Sequence, residues 1–122
     1  MTKPLALVLY ERLMPGSQLV NRLQDLGYRV ETVNNPKLLV EHAEKLKPML
    51  VLADLEPISA NVSLALSRLK ENSATAHVPI IAFCADGSSD LPNMAKAATL
   101  VVTDSAIVFH LPQFLEQALQ FD

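Results

Sequence analysis

The chain reads as an α/β domain built on a five-stranded parallel sheet of order 2-1-3-4-5, with helices on both faces. Three observations predict it. Five short apolar runs alternate with stretches of helical periodicity. The loops between them are short, as expected when parallel strands are joined by crossover helices. The third run, Met49–Leu50–Val51–Leu52–Ala53, ends at Asp54 with Pro57 just beyond, the pattern of a strand buried on both faces that stops at a polar loop. In an open parallel sheet, ligands gather beyond the carboxyl ends of the strands, so Asp54 stands where a site belongs.

Each element has its own signature. Pro4 to Tyr10 is apolar enough for a central first strand. Pro15 and Gly16 mark a turn, Ser17 is an N-cap, and Leu19, Leu23 and Leu26 form the stripe of a first helix stopped by Gly27. Tyr28 to Val33 has the mixed pattern of a strand near a sheet edge. Asn35 followed by Pro36 opens the second helix, whose inward stripe is Leu39, Ala43 and Leu46, up to Pro48. Ser59 to Glu71 forms a third helix with Val62, Leu66 and Leu69 inward, and Pro79 leads into the fourth strand, Ile80 to Cys84. Asp86 to Asp90 is the most loop-like segment, with Asp86 and Asp90 read as loop-solvating acids. A short helix over Pro92–Ala98, a fifth strand over Leu100–Thr103 and a last helix containing Pro112, Phe114, Leu115, Ala118 and Leu119 complete the chain, with Ser105–Phe109 adding a helical turn before it.

Composition narrows the function classes. The 122 residues are 50% apolar and fit a single domain, residues 1–122, with one core. The net charge of −3 comes from interspersed charges, with no basic run to follow a phosphate backbone, so direct nucleic-acid binding is not expected. Cys84 is the one cysteine and makes no internal disulfide; no run reaches a membrane span, and the first residues make no signal peptide. A cytoplasmic protein is expected. His42, His77 and His110 fall on different elements and make no metal motif. There is no glycine-rich phosphate loop and no nucleophile elbow.

The strand ends deliver Tyr10 and Glu11, Asp54, Cys84 and Ala85, and Thr103, Asp104 and Ser105 to one crevice. The element order, Leu26–Gly27–Tyr28, the strand-ending Asp54 with a nearby proline, and Val78–Pro79–Ile80–Ile81 together resemble the response-regulator receiver domain. The resemblance covers nearly the whole chain and implies a flavodoxin-like (CheY-like) three-layer sandwich with five helices. It further implies a phosphoacceptor at Asp54 and a Mg2+ ion held there by Asp54 and Glu11. Several negative oxygens converge in such a site, so a divalent cation and an ammonium must neutralise them.

Against that pattern the pocket is degenerate. Tyr10 brings no carboxylate where a second acid belongs, and Cys84 replaces a hydroxyl with a poor hydrogen-bond donor. The lysine position of the fifth strand falls on Asp104, or on Thr103 if the register slips by one, and neither carries positive charge. Val101 stands at the switch aromatic, and Pro57 follows Asp54 by three residues where the family has four.

The resulting expectation is a stand-alone pseudo-receiver, not an enzyme, that acts through protein–protein contact independently of phosphorylation and carries no cofactor. One alternative is a divergent but active regulator that takes a phosphoryl group on Asp54 from a histidine kinase, with Mg2+. A third is a small flavodoxin-like ligand-binding protein. The partner is a protein, a histidine kinase or a scaffold, or a second copy docking through the fourth helix, fifth strand and fifth helix. The interface residues expected there are Met94, Ile107, Val108 and Phe109, with Phe114 and Phe121 on the same face, because Ala106 to Phe109 are too many apolar residues for one buried helical turn.

Overall fold

A computed structural model describes residues 4–10, 13–55, 59–86 and 98–120. Its five strands are β1 (Leu5–Leu9), β2 (Arg29–Val33), β3 (Leu50–Asp54), β4 (Ile80–Cys84) and β5 (Leu100–Thr103). They form one sheet in the order β2-β1-β3-β4-β5, and all four pairings are parallel. The described helices are α1 (Leu13–Asp25), α2 (Leu39–Leu46), α3 (Ser59–Glu71), α4 (Asp104–Phe109) and α5 (Leu111–Gln120), and a 3-10 turn at Pro36–Leu38 precedes α2. The helix expected over Pro92–Ala98 falls mostly outside the described residues, as do Glu11, Pro57, Asp90, Met94 and Phe121.

Every residue of β1, β3 and β4 is buried, whereas β2 and β5 are half-covered edges. Alternation then sorts the strand residues into two cores. Leu7, Leu9, Val51, Ala53, Ile80, Ala82 and Cys84 meet Leu39 and Ala43 of α2 and Val62, Leu66 and Leu69 of α3. Ala6, Val8, Leu50, Leu52, Ile81 and Phe83 meet Leu19 and Leu23 of α1, Ile107 and Val108 of α4, and Leu111, Leu115 and Ala118 of α5. These are the three layers of a sandwich, each side held by apolar burial worth about 1.5–3 kcal/mol per large side chain.

Four expectations change in the structure. Helix α1 begins at Leu13, so Pro15 and Gly16 lie in its first turn, where a missing N–H costs nothing, and Ser17 is not its cap. The first helix also closes sooner than its stripe suggests. Gly27, at φ 92°, donates to the Gln24 carbonyl (3.0 Å) and Tyr28 to the Leu23 carbonyl (3.0 Å), a Schellman closure that turns the chain and leaves Leu26 45% exposed. Strand β3 lies one residue later than expected, taking in Asp54 and leaving Met49 exposed. Helix α2 does open at the Asn35 cap, whose side chain accepts from the Lys37 N–H (3.0 Å), but its first turn is 3-10.

A further change concerns the expected interface. Ile107 and Val108 are core residues, because α4 lies against α1 and β4; Phe109 alone of that apolar run is widely exposed, at 69%. The helix cannot continue past this point, since Pro112 has no N–H to donate to the Val108 carbonyl, and the chain breaks at His110 before α5. Ile107→Asp is therefore expected to cost more than about 4 kcal/mol, or to prevent folding, by burying an unpaired charge. Phe109→Asp should shift stability by less than about 0.5 kcal/mol. Urea-denaturation midpoints of the two variants check this, and equal losses would contradict the placement of α4.

Candidate functional site

The carboxyl ends of the strands are set by register. Leu9 pairs with Ala53, Asp54 with Phe83, and Cys84 with Thr103. Tyr10 follows β1 and is fixed by its N–H to the Val33 carbonyl (3.0 Å), while Leu55, just after Asp54, donates to the Phe83 carbonyl (2.8 Å). The strand ends therefore do bring Tyr10, Asp54, Cys84 and Thr103 to one edge of the sheet.

What the side chains do there departs from an open catalytic pocket. Asp54 is 1% exposed, and no buried side-chain nitrogen or oxygen among the described residues lacks a hydrogen-bond partner. It is the only charged group among the described buried residues. The Tyr10 ring packs toward α1 with the Phe83 side of the core, lying so flat on the first turn that a Cβ on Gly16 would come within 2.6 Å of its Cγ. Glycine at position 16 leaves the ring that room. Cys84 points to the opposite core, with Ala53 and Ala82, and its thiol donates to the Val102 carbonyl at 3.6 Å.

Strand β5 ends at Thr103, directly across from Cys84, and Asp104 is already the first residue of α4. Thr103 is the helix cap: its Oγ1 accepts from the Ala106 N–H (3.4 Å). Asp104 does not aim over the strand ends but lines a cleft between α1 and α4 that Arg22 and Asp25 also line. Its charge at the start of α4 suits the helix dipole.

The sequence reading missed one residue of this edge. Asp86, expected only to solvate a loop, accepts from the Ser105 N–H (3.0 Å) with one carboxylate oxygen and from the Ser105 hydroxyl with the other. These bonds hold the Asp86 carboxyl below its ordinary value, with the Ser105 side chain the largest cause and a further hydrogen bond from Thr103 contributing. The result is a clasp from the loop after β4 to the start of α4. Thr103 ahead of an apolar run is a cap signature legible in sequence, but Asp86, nineteen residues before its partner Ser105, leaves no local trace.

Magnesium takes oxygen ligands in a strict octahedron, with one or two protein carboxylates beside its own waters. At the ends of β1 and β3 the described residues offer a phenol and one covered carboxylate, Tyr10 and Asp54. No cluster of three His, Cys, Asp or Glu side chains able to hold a metal occurs among the described residues. The described residues alone do not complete such a site, and Glu11, the other expected ligand, lies outside them. The histidines are equally dispersed: His42 Nδ1 lies 2.9 Å from the Leu38 carbonyl one turn back, and His77 and His110 are exposed.

The clasp carries a pH signature. Because the folded Asp86 carboxyl lies below its ordinary 3.8, its contribution is fully present above that value and is lost as pH falls through the lower folded one. A carbon-detected NMR titration should give Asp86 a midpoint below 3.8, with the Ser105 amide losing exchange protection over the same acid range. Asp86→Asn should weaken that protection at neutral pH. A midpoint at or above the ordinary value would contradict the clasp.

No protein-family model matches the chain, and no curated protein sequence does. Solved structures do match in fold. A putative response regulator from Chloroflexus aurantiacus superposes with a TM-score of 0.87 at 16% identity, covering 98% of this chain and 99% of that one. A chemotaxis response regulator of Vibrio cholerae gives 0.82 at 20% identity, covering 97% and 100%. The receiver domain of a Pseudomonas aeruginosa sensor histidine kinase, with a magnesium ion coordinated in its active-site cleft, gives 0.82 at 21% identity, covering 98% and 99%. Over nearly its whole length, this chain has the fold of the response-regulator receiver domains.

Proposed function

We propose that the chain is a receiver-like signalling domain that acts through protein contact, without phosphorylation and without catalysis of its own. The observation that carries this reading is the state of Asp54. Phosphoryl transfer needs an acceptor oxygen in line with the donor and positive charge around the equatorial oxygens. Asp54 is 1% exposed at the end of β3. Around it, Cys84 donates to a backbone carbonyl, Thr103 caps a helix, and the β5 end continues into Asp104 and Ser105 with no ammonium. The groups that would gather a phosphoryl charge are engaged in holding the strand ends together.

A contact surface consistent with this reading lies at α4. Phe109 stands exposed beside a cleft of about 360 Å3 between α1 and α4, bordered by Gln18, Asn21, Arg22 and Val108. An exposed aromatic next to a concave wall of mixed polar and apolar surface suits an anchor for a protein partner, with a second copy as the other occupant.

The alternative, a divergent but active regulator, is favoured by the retention of Asp54 itself at the strand end. One experiment separates the two. Incubation with acetyl phosphate, or with beryllium fluoride, in the presence of Mg2+ should give no stoichiometric adduct by intact mass or by 19F NMR. An adduct on the wild-type chain that disappears in Asp54→Asn would establish the active regulator instead.

A further inference from the structure

We propose that the groove between the Pro36–Leu38 turn and α3 is a second docking site, for an acidic segment of a partner protein that carries an apolar anchor. It is independent of the state of Asp54 and lies on the other face of the sheet from Phe109. The groove has a volume of about 600 Å3, within the range of ligand and peptide sites.

Its walls are chemically one-sided. Lys37 and Arg68 bring positive charge, Asn34, Asn35 and Asn61 bring amides, and no acidic residue among the described residues lines it. Asn35 spends its side-chain oxygen on the Lys37 backbone N–H, which fixes the turn and leaves the Lys37 ammonium to reach outward. Both Leu64, on the groove's α3 wall, and Leu38, in the turn, are exposed at 55% and 39%; they are two of the five large apolar side chains exposed among the described residues. Apolar surface ringed by amides and cations is costly to leave in water and complementary to a segment of alternating acidic and apolar residues.

The field also sets an edge to the site. Beyond Lys37 and Arg68 the adjoining cleft is lined by Glu41, Glu44 and Glu71. An acidic segment is held on the amide-lined side and repelled from continuing between α2 and the end of α3. Binding is thereby confined to residues 34–37 and 61–68.

The test uses the 15N-labelled full chain and two synthetic peptides, acetyl-Glu-Leu-Glu-Glu-Leu-Glu-amide and the same sequence with Lys for Glu. The acidic peptide should produce saturable amide shifts confined to residues 34–37 and 61–68, with Glu41 and Glu44 unmoved, and the basic one should not. Lys37→Glu with Arg68→Glu, both exposed positions, should weaken the acidic peptide about tenfold or more, from two surface charge pairs lost and reversed, and bring the basic peptide onto the groove. Absence of saturable shifts at the groove would overturn the proposal. So would equal shifts with inorganic phosphate alone, which would make it a small-anion site, or peptide-independent shifts that grow with protein concentration, which would make it a contact between copies.

Discussion

The structure depends on the double coverage of its three inner strands. A parallel strand packed by helices on both faces has little room for a side chain that needs water, so β1 and β4 are apolar from end to end and β3 is apolar up to its last residue, Asp54. Polar chemistry is thereby pushed to the places where strands stop. The two cores alternate along each strand, and the same alternation decides which way every strand-end residue points. Asp54 falls on the side of Leu50, Leu52 and Phe83, and Cys84 on the side of Ala53 and Ala82. A single parity thus sends the carboxylate and the thiol to opposite faces of the sheet.

The strand ends use hydrogen bonds as fasteners. Cys84 ties β4 to β5 through the Val102 carbonyl, Thr103 caps α4, and Asp86, in the loop after β4, grips Ser105 at the start of α4. Together these fix the start of α4, a helix of only six residues whose packing through Ile107 and Val108 closes one core. In a phosphorylatable site the corresponding edge must stay open to a donor and a cation. Here Cys84, Thr103 and Asp86 are engaged in holding that edge together, which is what supports the proposed phosphorylation-independent reading.

Much of this was legible in the residues. Sheet order followed from five apolar runs and short loops, the edge character of β2 from its mixed pattern, and the start of α2 from Asn35–Pro36. Stripe periodicity found Leu19 and Leu23 but overextended to Leu26, because a stripe does not register the chain reversal that a left-handed glycine imposes. Pro15–Gly16 reads as a turn by composition, yet a proline in the first helical turn is sterically neutral. Ala106–Phe109 were too apolar for one buried turn, and of the three residues expected at an interface there Phe109 is exposed while Ile107 and Val108 are core. The Asp86–Ser105 clasp was invisible because it joins the loop after β4 to the start of α4, brought together only by the pairing of β4 with β5. The choice between Thr103 and Asp104 needed the helix boundary, since only there does one residue become the strand's end and the other the helix's beginning.

The central proposal is that the strand ends do not gather the charge that a phosphoryl site needs, and the ion comes before the phosphate in that assembly. The most direct measurement is a Mg2+ titration of the 15N-labelled chain, following the amides of Tyr10, Asp54, Leu55, Cys84 and Thr103 against a matched NaCl series. The account predicts no saturable shift beyond the salt control at any of these positions. Saturable shifts centred on Asp54 and Leu55, abolished in Asp54→Asn, would contradict it.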